Sequence, residues 1–301
     1  MRALSFLILL FSLATTAPSV EALTFRLDGN NVVGETMRIK TRYEDTFVGL
    51  GHVYGLGFRA MMNANPDVLP WVPGEGTEVI LPLSFILPRH DGDKEQIILN
   101  LAEFRLYHFI PEKKMVRSYA VGIGREGWET PVTEGKVTSI SKDPSWTPPE
   151  SIRREHASYG DILPAVVAPG PDNPLGKYAV KLSMPGYLFH GTNKKIGFGM
   201  RVSHGCVRLY AGDIEELAMS VKPGVPVRII NEPVKAGWRK DRLYLEVHPQ
   251  LEEDKGKPIN YEMIVGEALG QRPNTAVNID WDKVTEAARR KSGMPTDITA
   301  D

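Results

Sequence analysis

The apolar residues of this chain fall into short runs separated by Gly and Pro clusters, a spacing that predicts a mainly β protein. Ile97-Ile98-Leu99-Asn100-Leu101 and Arg105-Leu106-Tyr107-His108-Phe109 read as the two strands of a hairpin. Met115 to Ile123, Tyr178 to Leu182, Tyr187 to His190 and Val225 to Ile230 continue the series as far as Asn231. This succession predicts a β-sandwich domain over residues 96–232. One helix interrupts it: Asp213 is the expected cap, Glu216 completes an acidic capping box, and Ile214, Leu217 and Ala218 supply the apolar stripe.

On either side of that domain the pattern changes. Residues 38–82 predict strands flanking two short helices, with Asp45 or Thr46 capping the first and Asn65-Pro66 stopping the second. This β-α-α-β order resembles a LysM module, a small unit that binds N-acetylglucosamine-containing glycans, although Gly49, Gly51, Gly55 and Gly57 lower helix propensity where helices are needed. Pro82 to Asp93 reads as a connector. Beyond Pro233 the tail, residues 233–301, offers an alternating strand at Leu243-Tyr244-Leu245-Glu246-Val247 and a helix from Trp281 to Lys291, capped by Asp280 and ended by Gly293 and Pro295. It reads as a carboxy-terminal elaboration packed on the second domain.

Residues 1–22 combine Met1-Arg2 with the apolar run Ala3 to Leu13 and small residues at Val20-Glu21-Ala22, the pattern of a cleavable signal peptide cut after Ala22, with Ala17 as the competing position. Lys+Arg 36 against Asp+Glu 37 leaves a formal charge of −1, so no excess charge is available for nucleic acid. The single cysteine, Cys206, excludes an intramolecular disulfide and a multi-cysteine zinc site. In an exported protein, a lone thiol calls for a chemical reason.

That reason is suggested by its neighbours. Two of the seven histidines and the one cysteine fall between His190 and Cys206, in Tyr187-Leu188-Phe189-His190-Gly191-Thr192-Asn193 and Ser203-His204-Gly205-Cys206-Val207-Arg208-Leu209. A thiol becomes a useful nucleophile only beside a base or a positive charge, and an imidazole supplies either. Gly191 lets the chain turn after His190; Gly205 permits a tight turn before Cys206, and the N–H groups of Gly205 and Cys206 are candidate oxyanion donors. Zinc held by His190, His204 and Cys206 is disfavoured by the short His-x-Cys spacing and the lack of a fourth ligand. Arg208 shares a face with Cys206 if the segment is extended, where it can hold a substrate carboxylate or, equally, a buried acidic partner.

At these residues the chain resembles the L,D-transpeptidase (YkuD-type) family, whose signature pairs His-Gly-Thr with Ser-His-Gly-Cys-x-Arg. The resemblance extends to Gly122-Ile123-Gly124, Trp128-x-Thr130-Pro131, Trp146-Thr147-Pro148-Pro149 and Asn173-Pro174-Leu175-Gly176, as in periplasmic Gram-negative members. The chain departs at Thr133-Glu134-Gly135-Lys136-Val137, where the family more usually has Thr-Gly-x-Phe. The resemblance implies a periplasmic enzyme without metal or cofactor that acts on peptidoglycan stem peptides and glycan strands. Cys206 would attack the bond between meso-diaminopimelate and D-alanine, and an amine from a second stem or from an outer-membrane lipoprotein would resolve the thioester. It further implies His190 as proton donor and acceptor, His204 and Gly205 as shaping the nucleophile, and Arg208, Ser203, Gly191 and Thr192 as lining the substrate site. A hydrolase using the same thiol, and a glycan-binding wall protein whose thiol is idle, are the alternatives.

Overall fold

The computed structural model describes residues 22–194 and 196–301; the expected signal peptide lies, apart from Ala22, outside them. In chain order come β1 (Leu23–Arg26), β2 (Val32–Gly34), β3 (Met37–Lys40), α1 (Phe47–Val53), α2 (Phe58–Ala64), β4 (Glu78–Leu81) and β5 (Ser84–Ile86). Then follow β6 (Gln96–Asn100), β7 (Arg105–Ile110), β8 (Met115–Gly124), β9 (Thr133–Lys142), α3 (Glu150–Ser158), β10 (Tyr178–Leu182) and β11 (Leu188–His190). After them lie β12 (Arg201–Ser203), β13 (Val207–Leu209), α4 (Ala211–Ser220), β14 (Pro226–Ile230), β15 (Val234–Arg239), β16 (Arg242–Val247), α5 (Tyr261–Gly270), α6 (Trp281–Arg290) and β17 (Thr296–Asp297).

The central sheet runs β8-β13-β11-β10-β9-β14-β6-β7, and β7 pairs with β8 again, so the two layers of the sandwich are one sheet closed on itself. β1 and β12 attach along β8. Closure leaves this ring without a free edge. Its interior is filled by Ile97, Leu99, Leu106, Val121, Val180, Phe189, Val207, Leu209 and Val227, with α4 contributing Ile214 and Leu217. β6 and β7 are buried at every position. The alternation explains it: Ile97, Leu99 and Leu106 point into the ring, while Ile98, Tyr107 and Phe109 point outward into a second core with Phe47, Leu50, Leu56, Met61, Val79 and Leu81. The amino-terminal part therefore packs directly on the outside of the hairpin.

The β3-α1-α2-β4 order has the expected β-α-α-β form, with β3 antiparallel to β4. Thr46 caps α1 by accepting from the Gly49 N–H at 3.0 Å, and α2 ends at Asn65. Asn65 also ties α2 to β4, accepting from the Ile80 N–H at 2.7 Å and donating to the Ile80 carbonyl at 2.9 Å.

Three expectations change. The stretch Pro82 to Asp93 is not connector throughout, because Ser84–Ile86 pairs with β2. A ten-residue strand, β9, fills the gap that the hydrophobic pattern leaves between Ile123 and Tyr178, polar at most positions and half-exposed. Asp213 does not cap α4: the helix begins at Ala211, with Tyr210 at the cap position. Asp213 instead lies buried inside the first turn, where loss of water and the nearby Glu216 push its carboxyl up to about 8.

The tail has its own core, in which Trp238, Leu243, Leu245 and Val247 of β15 and β16 face Val265, Ala268, Val284 and Ala287 of α5 and α6. Asp280 caps α6 as expected, accepting from the N–H groups of Asp282 and Lys283 at 3.1 Å each. The outer face of β15 and β16 meets β2 and β5 as well as the ring: a Cβ at Gly237 would stand 2.7 Å from Ile86 and 2.9 Å from Asn31. Arg239 reaches the Gly34 carbonyl at 2.6 Å. Between the amino-terminal part, the ring and the tail, Lys235 Nζ lies 2.7 Å from Glu103 and 3.0 Å from Glu246, and all three side chains are buried. Glu246 also accepts from the Ile86 N–H at 2.5 Å and pairs with His248 at 2.7 Å, while Tyr107 donates to Glu103 at 2.5 Å.

Candidate active site

β11 and β13 lie side by side in parallel, with Phe189 opposite Val207 and His190 opposite Arg208. Phe189 and Val207 fill the ring interior, so His190 and Arg208 project from its outer side. Cys206, one residue before β13, is on that side too by the same alternation, diagonal to His190. The sequence-separated imidazole, thiol and guanidinium are thus gathered on neighbouring strands. Cys206 is half-buried, and its thiol donates to the Gly186 carbonyl at 3.4 Å.

The turn carrying the thiol is built from buried polar contacts. Ser203 is buried and its hydroxyl donates to the Cys206 carbonyl, so it braces the turn and does not face the cleft. Thr130 donates to the Gly205 carbonyl at 2.8 Å and accepts from the Gly124 N–H at 2.9 Å. Gly205 has φ +97°, and a Cβ there would stand 3.0 Å from the Tyr187 ring, so both backbone and space require glycine.

His190 is held beneath a second loop. Gly176, at φ +66°, lies so close that a Cβ would be 2.7 Å from the Thr192 nitrogen, and Gly191 is buried against Leu175 and Ile214. Asn173 fixes this loop: fully buried, it donates to the carbonyls of Pro144 at 2.8 Å and Ala168 at 3.1 Å and accepts from the Leu175 N–H at 2.9 Å. Thr192 accepts from the Lys194 N–H at 3.1 Å. The Asn-Pro-Leu-Gly and His-Gly-Thr motifs are therefore two sides of one contact.

His204 is directed elsewhere. Its Nε2 lies 2.5 Å from Glu155 of α3 and 3.0 Å from Arg125, and Trp128 stands edge-on with centroids 4.7 Å apart. Arg125 also binds Glu155. The ring is thus committed to an anchor that joins the turn before Cys206 to α3. Glu155 and Arg125 carry no sequence signal, since Glu155 is 49 residues from His204 in the chain and no periodicity links them. Burial lowers the His204 pKa while Glu155 raises it, so Glu155→Gln is expected to lower it further. An NMR titration of the His204 ring that does not move, or moves upward, would contradict this anchor.

The electrostatics give Arg208 weight. Among the described residues no carboxylate lies within ion-pair distance of it, and its Nε is buried without a hydrogen-bond partner. The buried acidic partner entertained from sequence is absent among them. Its charge acts instead on its two neighbours, lowering the pKa of both His190 and Cys206. For His190, burial and Arg208 together bring the imidazole down to about 4. For Cys206, burial dominates and pushes the thiol above its ordinary value, against the pull of the Leu188 backbone and Arg208. At neutral pH the His190 imidazole is therefore uncharged, and the Cys206 thiol resists ionisation.

The sequence model of the L,D-transpeptidase catalytic domain (YkuD) matches residues 94–229. Over most of its length the chain is similar to the probable L,D-transpeptidase YcfS of Escherichia coli K12, at 38% identity across 90% of this chain and 86% of that protein. This chain belongs to the L,D-transpeptidase family. Two further relatives from the same organism agree: the probable L,D-transpeptidase ErfK/SrfK is 35% identical, covering 96% of this chain and 95% of that protein, and YbiS is 37% identical, covering 95% of each. Its function is that of a peptidoglycan L,D-transpeptidase.

A cavity of about 740 Å³ lies away from this site, bounded by Arg89, Glu232, Asp254, Lys257 and Gln271, where connector, ring and tail meet. It contains none of the candidate catalytic residues. The close-set metal-type ligands Glu103, Glu246 and His248 include none of these residues either, and both carboxylates already pair with the Lys235 ammonium.

Proposed function

We propose that Cys206 is the nucleophile of an L,D-transpeptidation in which His190 carries the proton, and that the enzyme works in the periplasm. The observation that supports this most is the strand register that aligns His190, Arg208 and Cys206 on one side of the ring. Cys206 Sγ attacks the carbonyl joining meso-diaminopimelate to D-alanine, and its proton passes to His190. N–H groups of Gly205 and Cys206 receive the oxyanion. Collapse breaks the C–N bond, His190 returns the proton to the leaving D-alanine nitrogen, and a thioester remains. An incoming amine attacks that thioester, giving its proton to His190, and the sulfur departs and is reprotonated. Arg208 holds a stem carboxylate, the role supported by its lack of an acidic partner among the described residues.

The acceptor is an amine of a second stem or of an outer-membrane lipoprotein. Among the described residues no helix is long and apolar enough to cross a membrane. The test is to incubate the protein with tetrapeptide muropeptides and weigh it. A thioester adduct on Cys206 with release of D-alanine is expected, and absence of both refutes the proposal. With acceptor present, amide products identify a transferase; release of tripeptide alone identifies the hydrolase.

The pH profile gives an independent check. Since His190 must be neutral to accept a proton and is pushed to about 4, kcat/KM is expected to hold from neutral pH down towards 4. Alkylation of Cys206 by iodoacetamide, which follows the thiolate, is expected to rise with a midpoint above the roughly 8.5 of a free thiol. A thiol titrating well below neutrality, with activity lost at alkaline pH as an imidazolium deprotonates, would show a resting ion pair instead.

A further inference from the structure

The segment that carries the nucleophile is gripped on both flanks by the same piece of the amino-terminal part. Upstream of Cys206, the first N–H groups of α2 donate to the other domain: Phe58 to the Phe198 carbonyl at 2.9 Å and Arg59 to the Gly199 carbonyl at 3.3 Å. These donors have no partner within their own helix, so the loop satisfies groups that burial would otherwise leave unpaired. Gly57 and Gly199 touch backbone to backbone; a Cβ on Gly57 would lie 2.7 Å from the Gly199 Cα, and one on Gly199 would lie 2.5 Å from the Phe58 nitrogen. Downstream of Cys206, the Tyr210 ring lies between Phe198, at 3.6 Å, and His52 of α1, at 4.8 Å. Its hydroxyl donates to the Leu56 carbonyl at 3.2 Å.

The loop held in this way leads directly into β12 and the Ser-His-Gly-Cys turn. Its other side is stitched to β8, where Gly199 donates to Val121 at 2.8 Å and Ile123 donates to Met200 at 3.0 Å. Buried Arg105 adds a bond to the Gly55 carbonyl at 3.3 Å. Residues 199–210 are thus fixed at both ends, and α1–α2 is the element common to both.

Resting on the reading of Cys206 as nucleophile, we infer that Gly57 and Tyr210 are positioning residues for the transpeptidation: through them the α1–α2 turn sets the placement of the Cys206 turn. They act through the loop and touch no reacting atom. A displacement of about 1 Å in such a frame can cost on the order of 100-fold in rate.

Gly57→Ala in the full chain is the decisive variant. Gly57 has φ −87°, which alanine adopts freely, so the sole obstacle is the Gly199 backbone, and no rotamer change can relieve it. We expect kcat for tetrapeptide, and the rate of Cys206 acylation, to fall about 10- to 100-fold, with KM within about twofold and the chain still folded. Met62→Ala, at an exposed site on the same helix, is expected to stay within about twofold of wild type. Should Gly57→Ala not fold, Tyr210→Phe decides: it keeps the stacked ring, loses the bond to Leu56, and is expected to lower kcat by about threefold to tenfold. A folded Gly57→Ala with wild-type kcat, or one whose unfolding midpoint falls while kcat does not, overturns the inference, as does a wild-type kcat for Tyr210→Phe where that variant decides. Wild-type protein that is never acylated at Cys206 overturns the nucleophile reading and this one with it; acylated wild type matched by Gly57→Ala overturns this one alone.

Discussion

Cys206→Ser is expected to lower transpeptidation by at least about 10⁴-fold while leaving the fold intact, the largest loss of activity for any single change in this chain. Serine is smaller by little and suits the same turn, but its hydroxyl is far harder to ionise than a thiol. The base proposed for it is His190, which burial and Arg208 have weakened to about 4. In the proposed transfer that base serves a polarisable thiol, whose proton, though held more tightly by burial, is still lost far more readily than an alcohol's. His190→Ala should cost about 10²- to 10⁴-fold with the thiol present. On the proposed single proton transfer between the two, the double variant should be little worse than Cys206→Ser. Single-turnover release of D-alanine measures all three, and additive losses would show that His190 serves something other than Cys206.

Lys235→Met is expected to destabilise the fold by about 3–5 kcal/mol, the largest loss of stability outside the apolar cores. It strands Glu103 and Glu246, both buried, next to each other without the ammonium that lies 2.7 and 3.0 Å from them. Burial raises the Glu246 carboxyl, but that ammonium, together with His248 and the Ile86 N–H, holds it below the ordinary carboxylate range. Adding Glu103→Gln and Glu246→Gln removes the stranded charges and should recover a large part of the loss, since the penalty comes from unpaired charge more than from a missing attraction. Denaturant unfolding of the single and triple variants decides: a single variant within about 0.5 kcal/mol of wild type would mean that water reaches the network. The sign with pH follows. Glu246 has its folded pKa depressed, so its contribution is present above the unfolded carboxylate value and is lost as pH falls through the lower folded one.

What could be read from sequence was whatever local pattern dictates. The β6–β7 hairpin follows from Ile97 to Phe109, and the Asp280 cap marks the start of α6 within a residue. The candidate site was legible as a cluster because His190, Cys206 and Arg208 sit in short motifs that the β11–β13 pairing brings to one side of the ring. What was not legible depends on contacts made at long range. Glu246 occupies a polar position in an alternating strand and reads as solvated, yet β5 covers that face and makes it the deepest carboxylate in the tail. His204, next to the nucleophile's motif, reads as catalytic, and only Glu155 on α3 shows that its ring turns away. Ser84–Ile86 lies among prolines, and its partner β2 is some fifty residues earlier, so no turn signal announces the pairing. The thiol's raised pKa is likewise a matter of burial, which spacing cannot supply.

β6 and β7 have two apolar sides and no wet one. A recombinant fragment trimmed to the span of the catalytic family, beginning at residue 94, would therefore bare Ile98, Tyr107, Phe109 and Val116 as a contiguous greasy wall. Such a fragment would be prone to self-association whatever the integrity of its thiol, and an inactive preparation of it would say nothing about the enzyme.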